Sequence, residues 1–397
     1  MEAYSAFRSR DYRLLLTGLL LSNFGMQMMS VAVSWDLYVQ TKSALVLGNV
    51  GFVQVAPFIL FALFAGHVAD RYDRRRTMIL TQLLFLAASL LLIVGFRSVT
   101  VIYSCLFLTA FGRAFQWPAR LALLPHIVVP GTLGNAITWN STVQEISSVS
   151  GPAVAGILLA SAGSRTVYFT QAACACLTLA CYIGLRYRSA PVADAPAPTA
   201  KSLLEGMHFV RDNKLILSAI SLDLFAVLFG GATALLPIYA ADMLHAGARG
   251  LGWLRAAPSV GSVTMALVLA HSTKIHRAGA ALLWAVAGFG AATIVFGISR
   301  SFGLSLAMLA LTGAFDNVSV VLRQSLIQTK TPDYVRGCVL AFSSIFISSS
   351  NQFGAVESGW TAAWFGPVLS VAGGGLATIA VVVICAAVSA PLRKWRQ

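Results

Sequence analysis

The residues able to do chemistry in this chain fall into two sets: charges gathered in one short polar segment, and ionisable groups isolated inside long apolar runs. Gly66, Asp70, Arg71, Arg74 and Arg75 fit the pattern G-x-x-x-D-R-x-x-R-R. A carboxylate beside a helix N-terminus meets a partial positive charge, and making or breaking that contact can bias a two-state motion. Read more simply, its cations only mark one side of a membrane.

The second set comprises Arg113, Glu145, Asp223, Asp316 and Glu357, with Asp36 and Arg255 nearer the ends of their runs. A charge at the bilayer centre costs about 2.5–3.5 kcal/mol on insertion scales, so these groups must face protein or water. A carboxyl taken out of water holds its proton more readily. Asp316, Asp223, Glu145 and Glu357 are therefore candidates for proton coupling, and the sequence does not choose among them. Asn23, Gln27, Ser30 and Ser34 recur at spacings of 4, 3 and 4, a polar stripe on one helix face that suits a cavity wall.

The elements that must position these groups follow from composition. The 397 residues are 57% hydrophobic and only 11% charged, against roughly 25% charged in a soluble domain. A bilayer core takes about 20 helical residues to cross, and the apolar runs predict twelve spans: 14–38, 45–69, 77–96, 100–119, 134–161, 166–186, 215–240, 250–270, 279–298, 303–325, 337–360 and 364–390. Of the 28 Lys and Arg, 21 fall in one set of alternate loops, Arg323 among them, and 5 in the other. That asymmetry predicts cytoplasmic termini in the cell (cytoplasmic or inner) membrane, with the first span retained as an uncleaved anchor. The net charge of +14 is dispersed between spans, which argues against nucleic acid.

The polar stretch 187–214 reads as a cytoplasmic linker ending in an interfacial helix, with a six-span half on either side, 1–186 and 215–397. An internal repeat supports the division. Thr109, Arg113, Gln116 and Arg120 are matched 203 residues later by Thr312, Asp316, Ser319 and Arg323, and Gly151 and Gly156 by Gly354 and Gly359.

These motifs resemble the major facilitator superfamily, whose signature loop follows the Gly66–Arg75 pattern. Phe7–Arg13, Arg113–Pro125, Arg323–Leu326 with Thr331–Asp333, and Ser350–Gly359 further resemble its enterobactin-exporter-like branch of siderophore and drug exporters. The resemblance implies an all-α membrane fold of two pseudo-symmetric six-helix halves. It also implies that the segment is a conformational latch, in which Gly66 permits close packing, Asp70 engages a helix N-terminus and nearby cations, and Arg71, Arg74 and Arg75 pair across cytoplasmic ends. Gly151, Pro152 and Gly156 resemble the antiporter motif of span five, where they would serve gating or ordinary helix packing.

Spans 1, 4, 7 and 10 line the central cavity in that superfamily. This would place Asn23, Gln27, Ser30, Ser34, Arg113, Gln116, Thr312, Asp316, Asn317 and Ser319 on cavity walls; a static buried ion pair is the alternative for Arg113 and Asp316. The usual Gly-rich context after Arg113 is replaced by Phe115, Trp117 and Pro118.

The expected function is secondary active transport, as a proton-coupled exporter of small amphipathic molecules working by alternating access. A uniporter or importer, or a non-transporting sensor or scaffold on the same fold, are the alternatives. The expected partners are a small-molecule substrate, protons and lipid, with the chain working as a monomer. No cofactor is expected, the proton gradient supplying the drive. Without a Walker loop, H-E-x-x-H or G-x-S-x-G, an enzyme is not expected.

Overall fold

The computed structural model describes residues 4–187, 200–271 and 276–395, without the side chains at 58, 62, 63, 66, 67, 69, 70, 200–205, 333, 334, 341, 345 and 394. Helix follows helix, because hydrocarbon offers no partner for a backbone N–H or C=O left unpaired. The first helices are α1 (Arg10–Thr41), α2 (Ala44–Arg71), α3 (Arg74–Gly95), α4 (Val99–Ile127) and α5 (Leu133–Ile183). After residues 188–199, which lie outside the described residues, come α6 (Ala200–Asp212), α7 (Lys214–Phe229), α8 (Gly247–His271) and α9 (Ala278–Ile298). The last three are α10 (Phe302–Lys330), α11 (Asp333–Phe365) and α12 (Pro367–Val388).

Among the described residues, eleven helical tracts are long and apolar enough to cross a bilayer. The 51 residues of α5 would be roughly 76 Å long as one rod, far beyond a core of about 30 Å. Gly163, at φ 76°, breaks it into two arms, 133–162 and 164–183. The position 203 residues later is Gly366, at φ 88°, where α11 hands over to α12. Positive φ at both places is a conformation that glycine adopts without steric cost. With α5 counted as two arms, the tracts number the twelve that the apolar runs predict.

The seventh span departs from expectation. The pattern predicts one continuous helix over 215–240, but α7 ends at Phe229. The chain then runs through a 3₁₀ turn, Ala232–Leu235, and a π turn, Tyr239–Met243. Gly230 and Gly231 are poor helix formers, and Pro237 withholds a backbone donor. Breaks of this kind are tolerated within a membrane where neighbouring protein covers the freed groups.

Two compact units result: Met1–Gln40 with Val53–Pro198, and Thr41–Phe52 with Thr199–Gln397. The repeat seen in the sequence reappears in how each packs. A Cβ added to Gly151 would lie 3.1 Å from the Phe24 carbonyl oxygen, and one added to Gly354 would lie 2.8 Å from that of Val227, the same pairing displaced by 203. In the first unit Ser164 Oγ and Tyr168 Oη donate to the buried carboxylate of Asp36, the latter at 2.7 Å. In the second, Tyr239 stands at the position equivalent to Asp36, and its hydroxyl donates to the carbonyls of Gly297 (2.9 Å) and Pro367 (3.3 Å). Both devices tie the end of one helix to the start of another, with opposite hydrogen-bond polarity. Also in the second unit, Gly48 and Gly359 bring the start of α2 onto α11, and Trp360 Nε1 donates to Asn49 Oδ1 at 3.1 Å.

The tightest helix crossing is α8 on α10, where Cβ atoms on Gly261 and Gly313 would sit 1.7 and 1.8 Å from the carbonyl oxygens of Ala310 and Pro258. Backbone cannot yield as a flexible side chain does, so Gly313→Val is expected to cost at least about 1–3 kcal/mol. Thermal unfolding of the purified protein should show a clear fall in midpoint for Gly313→Val and none for Gly303→Ala, whose Cβ meets nothing within 4 Å. Equal midpoints would remove this crossing as a determinant of the fold.

Candidate functional site

The polar groups of the second unit converge on one buried cluster. Asp223 on α7 and Arg323 on α10 form an ion pair, with exposures of 5% and 3%. Ser319 Oγ, one turn from Arg323, donates to Asp223 Oδ1 at 3.5 Å, a long contact. Asp223, Asp316 and Ser319 line a common cavity of about 10 Å³, closed by Ala226, Phe289 and Phe315. That is close to the smallest volume able to hold one water. With both carboxylates ionised the cluster has two negative charges and one positive. One proton neutralises it. Asp223 has its counter-charge in Arg323, and Asp316 has none among the described residues.

Arg323 is a correction as well as a finding. Counted from the sequence as a cytoplasmic loop cation, it lies inside α10, buried against Asp223. Desolvation of so large a cation is offset only by a partner at contact distance. The 4-3-4 repeat already contained the residue; what it could not show was Asp223 on another helix.

The first unit uses the matching positions differently. Arg113 is exposed, and Arg120 stacks on the ring of Trp117 with its guanidinium carbon 4.7 Å from the centroid. Gln116 donates from Nε2 to Gln82 Oε1 at 3.3 Å, so it is tied to α3. In the α1 stripe, Gln27 Nε2 donates to Ser148 Oγ at 3.1 Å, with Gly151 allowing the close approach, while Ser34 Oγ bonds the Val31 carbonyl. Asn23 and Ser30 are half-buried on α1. Pro152 and Gly156 are buried within α5. Glu145 is exposed on α5.

In the second unit Thr312 Oγ1 bonds the Leu309 carbonyl, and Asn317 Nδ2 donates to Ser262 Oγ at 3.0 Å. Glu357 is half-buried and accepts a long hydrogen bond from Ser358. Neither Glu145 nor Glu357 joins the Asp223–Arg323 cluster.

In the charged segment, the surroundings of Gly66 and the side chain of Asp70 lie outside what is described, and Arg71 is exposed. Arg74 Nη1 donates to the Ala122 carbonyl at 3.0 Å, and Arg75 donates to the carbonyls of Tyr182 (Nε, 3.1 Å) and Ile183 (Nη2). Cations at helix C-termini satisfy orphan carbonyls and complement the dipole. The carboxylate seen at a helix N-terminus is Asp73, capping α3 by accepting from the amides of Arg75 (2.9 Å) and Arg76 (3.4 Å). Its signal was present in the sequence as an Asp immediately before a helical run.

The whole chain, residues 1–397, matches the family described as transmembrane secretion effector. It belongs to that family of major facilitator transporters. Curated relatives include the enterobactin exporter EntS of Shigella boydii serotype 4 and that of Escherichia coli O1:K1 / APEC. Each is 26% identical over 393 residues, covering 97% of this chain and 93% of the relative. Among solved structures, a POT family transporter in complex with a thioalcohol-conjugated peptide aligns with a TM-score of 0.77 at 11% identity, over 97% of both chains. A peptide transporter POT in complex with sulfate aligns at 0.77 and 12%, over 97% of this chain and 95% of that one. These structures share the fold. The chain is an integral, multi-pass membrane transporter, and its relatives are transporters, not enzymes.

Removing one member of a buried pair leaves an uncompensated charge, so Arg323→Met or Asp223→Leu alone should cost about 3–5 kcal/mol, while the double variant should recover most of it. Thermal unfolding of the three variants checks this. Additive losses in the double variant would mean that the two side chains do not act as a pair.

Proposed function

We propose that this transporter is a proton-coupled exporter of small amphipathic molecules, drug- or siderophore-like, working as a monomer by alternating access. It sits in the cytoplasmic membrane with both termini in the cytoplasm. The observation that carries the coupling is the charge of the buried cluster. Asp223 and Arg323 neutralise each other, and Asp316 lines the same cavity as Asp223 with one negative charge in excess. Protonating Asp316 removes that charge. A change of one unit in a poorly solvated cluster is large enough to shift the balance between two states whose solvation of the cluster differs. Cargo leaves as the proton enters.

The direction is supported by relatives that are themselves named enterobactin exporters and align over 97% of this chain. The orientation rests on the excess of Lys and Arg in one set of loops. The hydrogen bonds of Arg74 and Arg75 to the ends of α4 and α5 are contacts that a latch would use.

Proteoliposomes enclosing a pH-sensitive dye test the coupling, with enterobactin supplied as the trial cargo and ethidium as a drug-like alternative. Wild type should move protons only when a cargo moves. Asp316→Asn, which keeps the shape and cannot ionise, should lower coupled flux by about ten-fold or more. Export indifferent to the gradient would end the antiport reading. Full coupled flux in Asp316→Asn would move the proton to another carboxylate.

A further inference from the structure

The two halves carry opposite chemistry at matching positions. In the second, Arg323 is neutralised by Asp223. In the first, the position equivalent to Asp223 is Leu20, the position equivalent to Asp316 is Arg113, and Arg120 occupies the place of Arg323. Neither arginine there has a carboxylate at ion-pair distance among the described residues. The first unit's described carboxylates are engaged elsewhere or stand apart. Asp11 accepts from the amides of Arg186 and Tyr187, Asp36 from Ser164 and Tyr168, and Asp73 from the amides of α3. Glu145 is exposed and unpaired with any arginine.

Arg113 is fourteen residues from either end of α4, roughly 21 Å along the axis in each direction. An exposed, unneutralised guanidinium at that depth cannot face hydrocarbon, so this face of α4 borders a polar space. Arg113, Trp117 and Arg120 are spaced 4 and 3 and therefore share the face. Trp117 is 52% exposed, and Arg120 covers part of its ring at 4.7 Å, which leaves further aromatic surface open. Among the described residues the face thus offers two cations with no acid beside them, and a broad indole surface. Guanidinium groups suit carboxylate or phenolate oxygens, and a planar ring stacks well on indole or guanidinium.

We propose that Arg113, Trp117 and Arg120 form a cargo subsite for a planar aromatic anion, meaning a ring bearing a carboxylate or an ionised phenol. That the ligand is cargo rests on the exporter reading; the binding itself does not. The arginines of one half, unpaired among the described residues, receive the anion, while the self-neutralised pair of the other leaves Asp316 to take the proton. The repeat has been divided between the two tasks.

Calorimetric titration of the purified full-length protein separates the contributions of charge and ring. The probes are 2-naphthoate, 2-naphthylmethylammonium with the same ring and opposite charge, and decalin-2-carboxylate with the same charge and a saturated skeleton. Naphthoate should bind about ten-fold or more tightly than the ammonium, and Arg113→Gln should erase that preference while Arg113→Lys keeps much of it. Trp117→Leu should weaken naphthoate about five-fold and the saturated acid less than about two-fold, with Trp117→Phe close to wild type. Equal binding of anion and cation overturns the subsite, as does a Trp117→Leu effect no larger for naphthoate than for the saturated acid. Selective binding without gradient-driven export would overturn the exporter reading and leave the subsite standing. Coupled export with no charge or ring selectivity would do the reverse.

Discussion

A charge in hydrocarbon must find either a counter-charge or water, and the interior of this transporter is arranged around that requirement. Arg323 meets it with Asp223, drawn from another helix and buried beside it. Asp36 meets it with two hydroxyls from the second arm of α5. Arg113 meets it by exposure, on a face with no described acid beside it. Each solution has a different consequence. The closed pair fixes α7 to α10, the hydroxyl clamp fixes α1 to α5, and the exposed cation has no described acid beside it, as the proposed subsite requires.

The fold is written in the sequence at the level of periodic hydrophobicity, because lipid removes most alternatives. A long apolar run in a bilayer must be a helix, so the number of spans, the half-and-half layout and the repeat at 203 could all be read from residues alone. What could not be read were the places where two helices decide the outcome together. The break after Phe229 depends on Gly230 and Gly231, yet glycines are common in membrane spans and most do not interrupt them. Gly163 differs only by its backbone conformation, which no residue type announces.

The site was legible in part for the same reason. Asp316 and Asp223 stand out because a carboxylate in an apolar run is rare and costly. Their convergence with Ser319 on one small cavity is tertiary information. Arg323 was hidden by its position near the end of an apolar run, where the charge-asymmetry rule assigns arginines to a loop. Trp117 was hidden by chemistry that looks structural, since an aromatic near the end of a span is ordinarily an interface anchor. Its stacking with Arg120 is tertiary information on which the proposed subsite rests.

Duplication gives the division of labour a physical rationale. Two copies of one helical unit begin with the same residue at each paired position, and the proposed coupling of a proton to an anionic cargo would use opposite charges at the two. Leu20 against Asp223 is the change that matters most. A carboxylate at position 20 would place in the first half the acid that neutralises Arg323 in the second, and Arg120 would then be tied into a pair of its own. An apolar residue there leaves Arg120 to stack on Trp117, and together with Arg113 it keeps the first half net positive on this face. Asp316 in place of an arginine does the converse, leaving the cluster of the second half one negative charge over. The asymmetry of charge follows from two positions in the repeat.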